Sequence, residues 1–330
     1  MATIYYPTTA VVQQRQVSGS TLTEQFIGVL PDQILVFTGS TFFTSSLTAS
    51  YAYTSSNAYT ASYLVGGSRT ILTASTTLYV NTTGSDSNNG LSLTTPFQTI
   101  QNALNVASSF DNVIYNVTIQ VSDGTYKENL TIKPLLNPLG NLTLQGNQSN
   151  SSSVIIQSPG SGNTLAAYYG TSILLNNLYL SGSAGGGNLI TLFYNAFAVP
   201  SNLVYGQVAT GQAMVSVNRG GTINFNATTC TIIGGPSTAS SFIWSYLGGK
   251  TMFSGVGINF VGSSSYSTAF MDISQGAVVA GGTLRLTGSG AVTGKKFSIT
   301  TNGVIDTGGL GVSYLPGSIA GTSGSGGQYV

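Results

Sequence analysis

Apolar and polar positions along the chain follow two different periods, and one stretch stands apart by following the longer of them. In LTTPFQTIQNALNVA (93–107), Phe97, Ile100, Ala103, Leu104 and Ala107 recur at helical spacing and form one apolar stripe, opposite Gln98, Gln101, Asn102 and Asn105. Thr95 stands as N-cap, with Pro96 at the first helical position and Gln98 closing a capping box, so the pattern predicts a helix over 95–108. Beyond it the period drops to two. NVTIQV (116–121) alternates Val117, Ile119 and Val121 against Thr118 and Gln120, and ENLTIKP, GNLTLQG and SSVIIQSPG follow as short strands closed by polar or glycine turns. Short strands at steady intervals predict an all-β design. A stack of β-coils has an open, apolar first end, and a single amphipathic helix laid across it covers that end.

Six triplets can be placed in register, Leu165–Ala167, Ile190–Leu192, Val215–Val217, Ile243–Ser245, Met271–Ile273 and Phe297–Ile299, each apolar at its first and third positions except for the small Ala167 and the polar Ser245. Their first residues are 25 to 28 apart, and coils of this size with two or three short strands predict a single-stranded parallel β-helix, each coil rising by about 4.8 Å. First and third triplet positions then face the core and the middle one faces solvent. A β-sandwich of many hairpins is the alternative such runs allow. Residues 1–45 lack the period and are expected to form an N-terminal head with extended β-rich structure. Residues 46–75 hold SLTASYAYTSSNAYTASY, with Ala-Ser-Tyr repeated at 49–51 and 61–63, and form either a low-complexity linker or a stalk whose tyrosines pack against further copies of the chain. The β-helix is expected over 76–310, and a glycine-rich tail over 311–330.

Composition narrows the chemistry. Charged residues make up 5% of the 330, nine basic against eight acidic, where about 25% is usual. A net charge of +1 gives no basic patch for nucleic acid. Histidine is absent and Cys230 is the one cysteine, which removes histidine bases, Ser-His-Asp triads, common zinc sites and an intrachain disulfide. No metal site and no cofactor is expected. MATIYYPTTAVVQQR lacks the basic-then-apolar order of a standard signal peptide, and no run is apolar enough to span a bilayer, so membrane insertion is not expected.

The segment TLYVNTTGSDSNNGLSLTTPFQTIQNALNVA (77–107) resembles the opening of the pectate-lyase-like, right-handed parallel β-helix superfamily. The matching elements are Tyr79-Val80, Gly84-Ser85-Asp86 with Gly90, and Pro96-Phe97 with Thr99-Ile100. VSDGTYKENLTI (121–132) is similar to the family's first full coil, with Gly124 and Tyr126 forming its Gly-x-Tyr turn. Phage tail spikes, tail fibres and receptor-binding proteins use this fold, and the tail YLPGSIAGTSGSGGQYV resembles endings seen on phage structural proteins. The resemblance implies a homotrimer assembled in the host cytoplasm and carried on the virion tail. Its N-terminal region would bind other tail or baseplate proteins, and its β-helix a host cell-surface polysaccharide.

Candidate chemistry is sparse. Ordinary glycosidases need two carboxylates, about 5–9.5 Å apart depending on mechanism. Asp86 and Asp123 sit in turns, Glu128 reads as an ordinary surface charge, and Glu24 and Asp32 fall in the head. Asp272 occupies the outward triplet position one coil beyond Trp244, about one strand spacing away. An indole beside a carboxylate can stack on a sugar and bond its hydroxyls, so Trp244 and Asp272 form a candidate glycan platform, with Arg219, Lys250 and Arg285 on nearby coils as possible support. Asp272 and Asp306 are the candidate catalytic acids. The reading that follows is a tail fibre or spike that contacts a glycan without cutting it. The alternatives are a depolymerising glycoside hydrolase and a passive virion decoration or adaptor.

Overall fold

The computed structural model describes residues 12–15, 23–26, 70–111, 114–134, 140–226, 228–234, 238–281 and 284–330. The chain divides into two units, Met1–Ser62 and Tyr63–Val330. In the first, Val12–Arg15 pairs antiparallel with Thr23–Phe26. The expected stalk, 46–75, lies outside the described residues up to position 69.

The second unit is a right-handed parallel β-helix built on three long sheets, with the two-stranded pairs Thr70–Ile71 with Phe110–Asp111 and Ser264–Tyr266 with Val292–Gly294 beside them. Seven strands from Gly124–Lys127 to Leu284–Gly288 form the first sheet, and eight from Leu130–Ile132 to Thr322–Ser323 form the second. Ten strands from Thr76–Val80 to Gln328–Tyr329 form the third. The six triplets read from the sequence are consecutive neighbours in the second sheet. Leu165, Ile190, Val215, Ile243, Met271 and Phe297 stand in one register, 25, 25, 28, 28 and 26 residues apart. Their first and third residues are buried because side chains alternate across a strand, and this includes Ser245, fully buried. Inside, aromatic rings stack from coil to coil: Phe225 on Phe253 at 4.9 Å and Phe242 on Phe270 at 5.2 Å.

Among the described residues, the corner between the second and third sheets repeats on seven coils. At Tyr169-Gly170, Tyr194-Asn195, Arg219-Gly220, Leu247-Gly248, Gln275-Gly276, Thr301-Asn302 and Ser325-Gly326 both residues have positive φ. Each pair is closed by an N–H donated to the carbonyl three residues back, as from Thr171 to Tyr168 and from Gly249 to Tyr246, which makes the corners type I′ turns. Adjacent corners are bonded to one another, Gly170 N–H to Tyr194 O and Gly220 N–H to Leu247 O. Gly220 has a second reason to be glycine: a Cβ there would collide with the Asn195 side chain one coil earlier.

The capping helix runs Ile100–Ser109 with Thr99 as N-cap, whose hydroxyl accepts from Asn102 N–H. Thr95 is therefore not the cap, and 95–98 are not helical. Phe97 bridges Val80, donating its N–H to Tyr79 O and accepting from Asn81 N–H, which holds the segment in β geometry. The Thr95 hydroxyl turns to Asn89 and Ser92, Pro96 offers its carbonyl to Ser85 N–H, and Gln98 is exposed. Ile100, Ala103, Leu104 and Ala107 are buried, so the helix lies over the first coil as its stripe predicts. It also guards an edge. The Gln101 amide accepts from Thr131 N–H at 2.7 Å and donates to Thr131 O at 3.1 Å, pairing the free side of the first strand of the second sheet. In the Gly-x-Tyr turn, Gly124 has φ 150° and the buried Tyr126 donates its hydroxyl to Ser122 O; burial pushes that phenol up to about 12.

The expected boundary at 310 is corrected at the other end. Thr322–Ser323 pairs with Ser298–Ile299, and Gln328–Tyr329 with Val304–Ile305, so 311–330 contributes a further coil. The Tyr329 ring stacks on Phe297 at 4.4 Å and closes the core there.

Candidate functional site

The outward column of the second sheet reads Ala166, Thr191, Ser216, Trp244, Asp272, Ser298, Thr322 in consecutive coils. Ala166, Thr191 and Ser216 are buried despite facing outward, while Trp244, Asp272 and Ser298 are half-exposed. Trp244 and Asp272 are direct register partners, as the triplet alignment required. The indole stacks on Tyr246, two residues along the same strand, at 4.8 Å, which steadies its orientation. Burial pushes the Asp272 carboxyl up from its ordinary value; a hydrogen bond from Ser298 and the charge of Lys295 pull it down. Lys295 in turn donates to the Thr322 hydroxyl at 3.3 Å. An aromatic face, a carboxylate, a hydroxyl and an ammonium thus share one open stretch of sheet. Such a set can stack on a sugar ring and exchange hydrogen bonds with its hydroxyls. Ser298 was legible as the middle of its triplet; Lys295, just ahead of that triplet, carries no periodic signal.

The other anticipated residues are spread over the solenoid. Arg219 and Lys250 lie at the corner between the second and third sheets, outside the Trp244 column. Arg285 is on the first sheet, in register with Gly257. Asp306 ends a strand of the third sheet and accepts from Gly308 N–H at 2.8 Å, capping its own turn. Asp272 and Asp306 therefore stand on different sheets and do not face each other as an acid pair. Asp123 takes the Asn147 amide at 2.8 and 3.1 Å. Glu128, read as a surface charge, is half-buried and bonds the capping helix, as does Asp86. Burial pushes Glu128 up, against the pull of the Gln101 and Ile100 amides.

Among the described residues no three Cys, Asp or Glu side chains gather into a metal site, and no helix is long and apolar enough to cross a membrane. A cavity of about 330 Å³ opens at the C-terminal end, beside Phe297, Val312 and Tyr329, away from Trp244. The platform is a surface, not a pocket. The architecture is a right-handed parallel β-solenoid with a capping helix, consistent with pectate-lyase-like β-helix proteins generally. Compared with protein-family models, curated proteins and solved structures, the chain gives no match to any of them.

Proposed function

We propose that this chain is a phage virion protein, a tail fibre or spike that contacts a host surface glycan through its β-helix without cleaving it. The observation that carries the reading is the Trp244–Asp272 register pair, an indole and a carboxylate side by side on an open sheet with Ser298 and Lys295 next to them. The separation of Asp272 from Asp306 supports binding over hydrolysis, since each ordinary glycosidase mechanism needs two facing acids. Sparse charge and a rod of stacked coils suit an exposed, durable surface. In this reading residues 1–75 attach the chain to other tail or baseplate proteins and associate copies into a homotrimer.

Antibody-gold labelling of intact virus particles tests the assignment. Label at the distal tail is the expected result. Label spread over the head, or none on particles, rejects it.

A further inference from the structure

We propose that the corner between the second and third sheets, from Tyr169 to Lys250, is a binding strip for an acidic polysaccharide lying along the solenoid axis. The proposal rests on the glycan reading above and adds the charge class of the ligand, its direction and the residues that select it.

Stacked type I′ corners turn side chains from different coils into straight columns. One column reads Tyr168, Phe193, Asn218, Tyr246, and the next reads Tyr169, Tyr194, Arg219, Leu247. Tyr168 stacks on Phe193 at 5.2 Å and Tyr169 on Tyr194 at 5.0 Å, with the rings nearly parallel in both pairs. The columns therefore repeat at the coil rise of about 4.8 Å. That rise is close to the length of one sugar unit in a linear chain, so a polysaccharide laid along the corner meets one turn per residue.

Exposure marks the same corner. Tyr169, Tyr194 and Leu247 are 67%, 37% and 43% exposed, three large apolar side chains within four successive coils. Arg219 and Lys250 are exposed among them. The Arg219 guanidinium lies over the Tyr194 ring, 5.1 Å from its centre, and donates to the Tyr194 hydroxyl. That contact holds the fork in place and uses part of its five-donor capacity, so the remainder suits a carboxylate or phosphate oxygen.

Charge selects the ligand class. The seven corner segments 168–172, 193–197, 218–222, 246–250, 274–278, 300–304 and 324–328 carry Arg219 and Lys250 and not one Asp or Glu. Asp272, the acid on the adjoining sheet face, lies one coil beyond Trp244, past the end of the strip. Two cations without an acid, in a chain this poor in charge, form a local positive field that a neutral sugar does not need.

The test uses the full chain in affinity electrophoresis through gels holding dextran, carboxymethyl-dextran or phosphorylated dextran of equal length. The strip is removed by Arg219→Gln with Lys250→Gln. Both substitutions fit, because Gln275 occupies the Arg219 place in its own corner and Gln328 stands in register with Lys250 through Val278 and Val304. Lys127→Gln with Arg285→Gln, both exposed on the first sheet, makes the same change in net charge elsewhere. Wild type is expected to bind at least one acidic dextran more tightly than dextran, and the corner variant to lose about tenfold or more of that affinity. The first-sheet variant is expected to keep it. Which acidic gel retards the chain separates carboxylate from phosphate. Equal loss in both double variants, or no preference for either acidic polymer, overturns the proposal. Binding to neutral dextran that depends on Trp244 would overturn the strip while leaving the glycan reading intact.

Discussion

The carboxylates of Asp86 and Glu128 divide the N-terminus of the capping helix between them. Asp86 accepts from Gln98 N–H at 3.0 Å and Thr99 N–H at 2.9 Å, and from the Thr99 hydroxyl at 2.7 Å. Glu128 accepts from Ile100 N–H and Gln101 N–H, both at 2.9 Å. Four consecutive amides at the helix start, which have no intrahelical partner, are thus satisfied by two acids from separate loops. The same end of the helix is the positive end of its dipole, which acts with these amides against the burial that raises the Glu128 carboxyl. The lid over the first coil is clasped from both sides.

Glu128→Ala orphans two half-buried amides and is expected to destabilise the chain by about 1–3 kcal/mol. Asp86→Ala, at a more exposed position, is expected to cost less. Urea unfolding followed by circular dichroism measures both. A Glu128→Ala midpoint equal to wild type would mean water replaces the carboxylate at no cost and would reject the clasp.

The clasp was hidden in the sequence for a physical reason. Thr95, Pro96 and Gln98 satisfy a local capping pattern, but the Phe97–Val80 bridge claims the segment before the helix can start. The acids that replace the box come from 13 and 28 residues away. The triplets of the second sheet were legible because their signal is local: apolar residues flank an outward position, and burial on one side enforces it. The Trp244–Asp272 pair follows from that register alone. The corner turns were not seen, because their first positive-φ place holds Tyr, Arg, Leu, Gln, Thr or Ser and only the second is confined to Gly or Asn. Arg285 lies on a nearby coil as read, but on the first sheet, because sequence spacing places a residue on a coil without saying which of three faces it takes.

At the corner, Gly220→Ala is expected to destabilise by about 1–2 kcal/mol from positive φ alone, with a further cost from the Asn195 collision. Adding Asn195→Gly relieves the collision and should recover that further part but not the first. Thermal unfolding of the single and double variants separates the two. Equal losses in both would show that Asn195 yields freely.

Asp272 and Glu128 both have folded-state pKa values raised by burial. A raised carboxyl binds its proton more tightly in the folded state, so its contribution is complete below the unfolded value and is lost as pH rises through the folded one. The window opens near 3.8 for Asp272 and 4.5 for Glu128 and extends upward from there. Asp272→Asn removes one of these losses. Its stability relative to wild type is expected to rise between pH 4 and pH 7, read from urea midpoints at each pH. A difference that stays constant or falls over that range would mean the Ser298 bond and Lys295 outweigh burial.

Trp244→Ala tests the platform directly. The indole is half-exposed and rests on Tyr246, so truncation should change stability by about 1 kcal/mol or less while weakening glycan binding roughly tenfold. Adsorption of the folded variant to host cells measures it, with unfolding as the control. Unchanged adsorption removes Trp244 from the site.

The coil formed by 311–330 is part of the solenoid and not an appendage to it. Tyr329 stacks on Phe297, its hydroxyl donates to Gly311 O at 2.9 Å, and the buried Leu315 packs with the same core. Removing 311–330 would uncover Phe297, Ile299 and Ile305, which are buried in the penultimate coil. In a stack where each coil is stabilised by its neighbours, such a loss propagates inward. The truncated chain is expected to unfold at lower urea and to aggregate at concentrations where the full chain stays dispersed. Tyr329→Ala should show the same direction with a smaller effect, of about 1–3 kcal/mol, since the ring is only half-buried. A truncation with an unchanged midpoint and no aggregation would mean that the Phe297 coil already ends the core by itself.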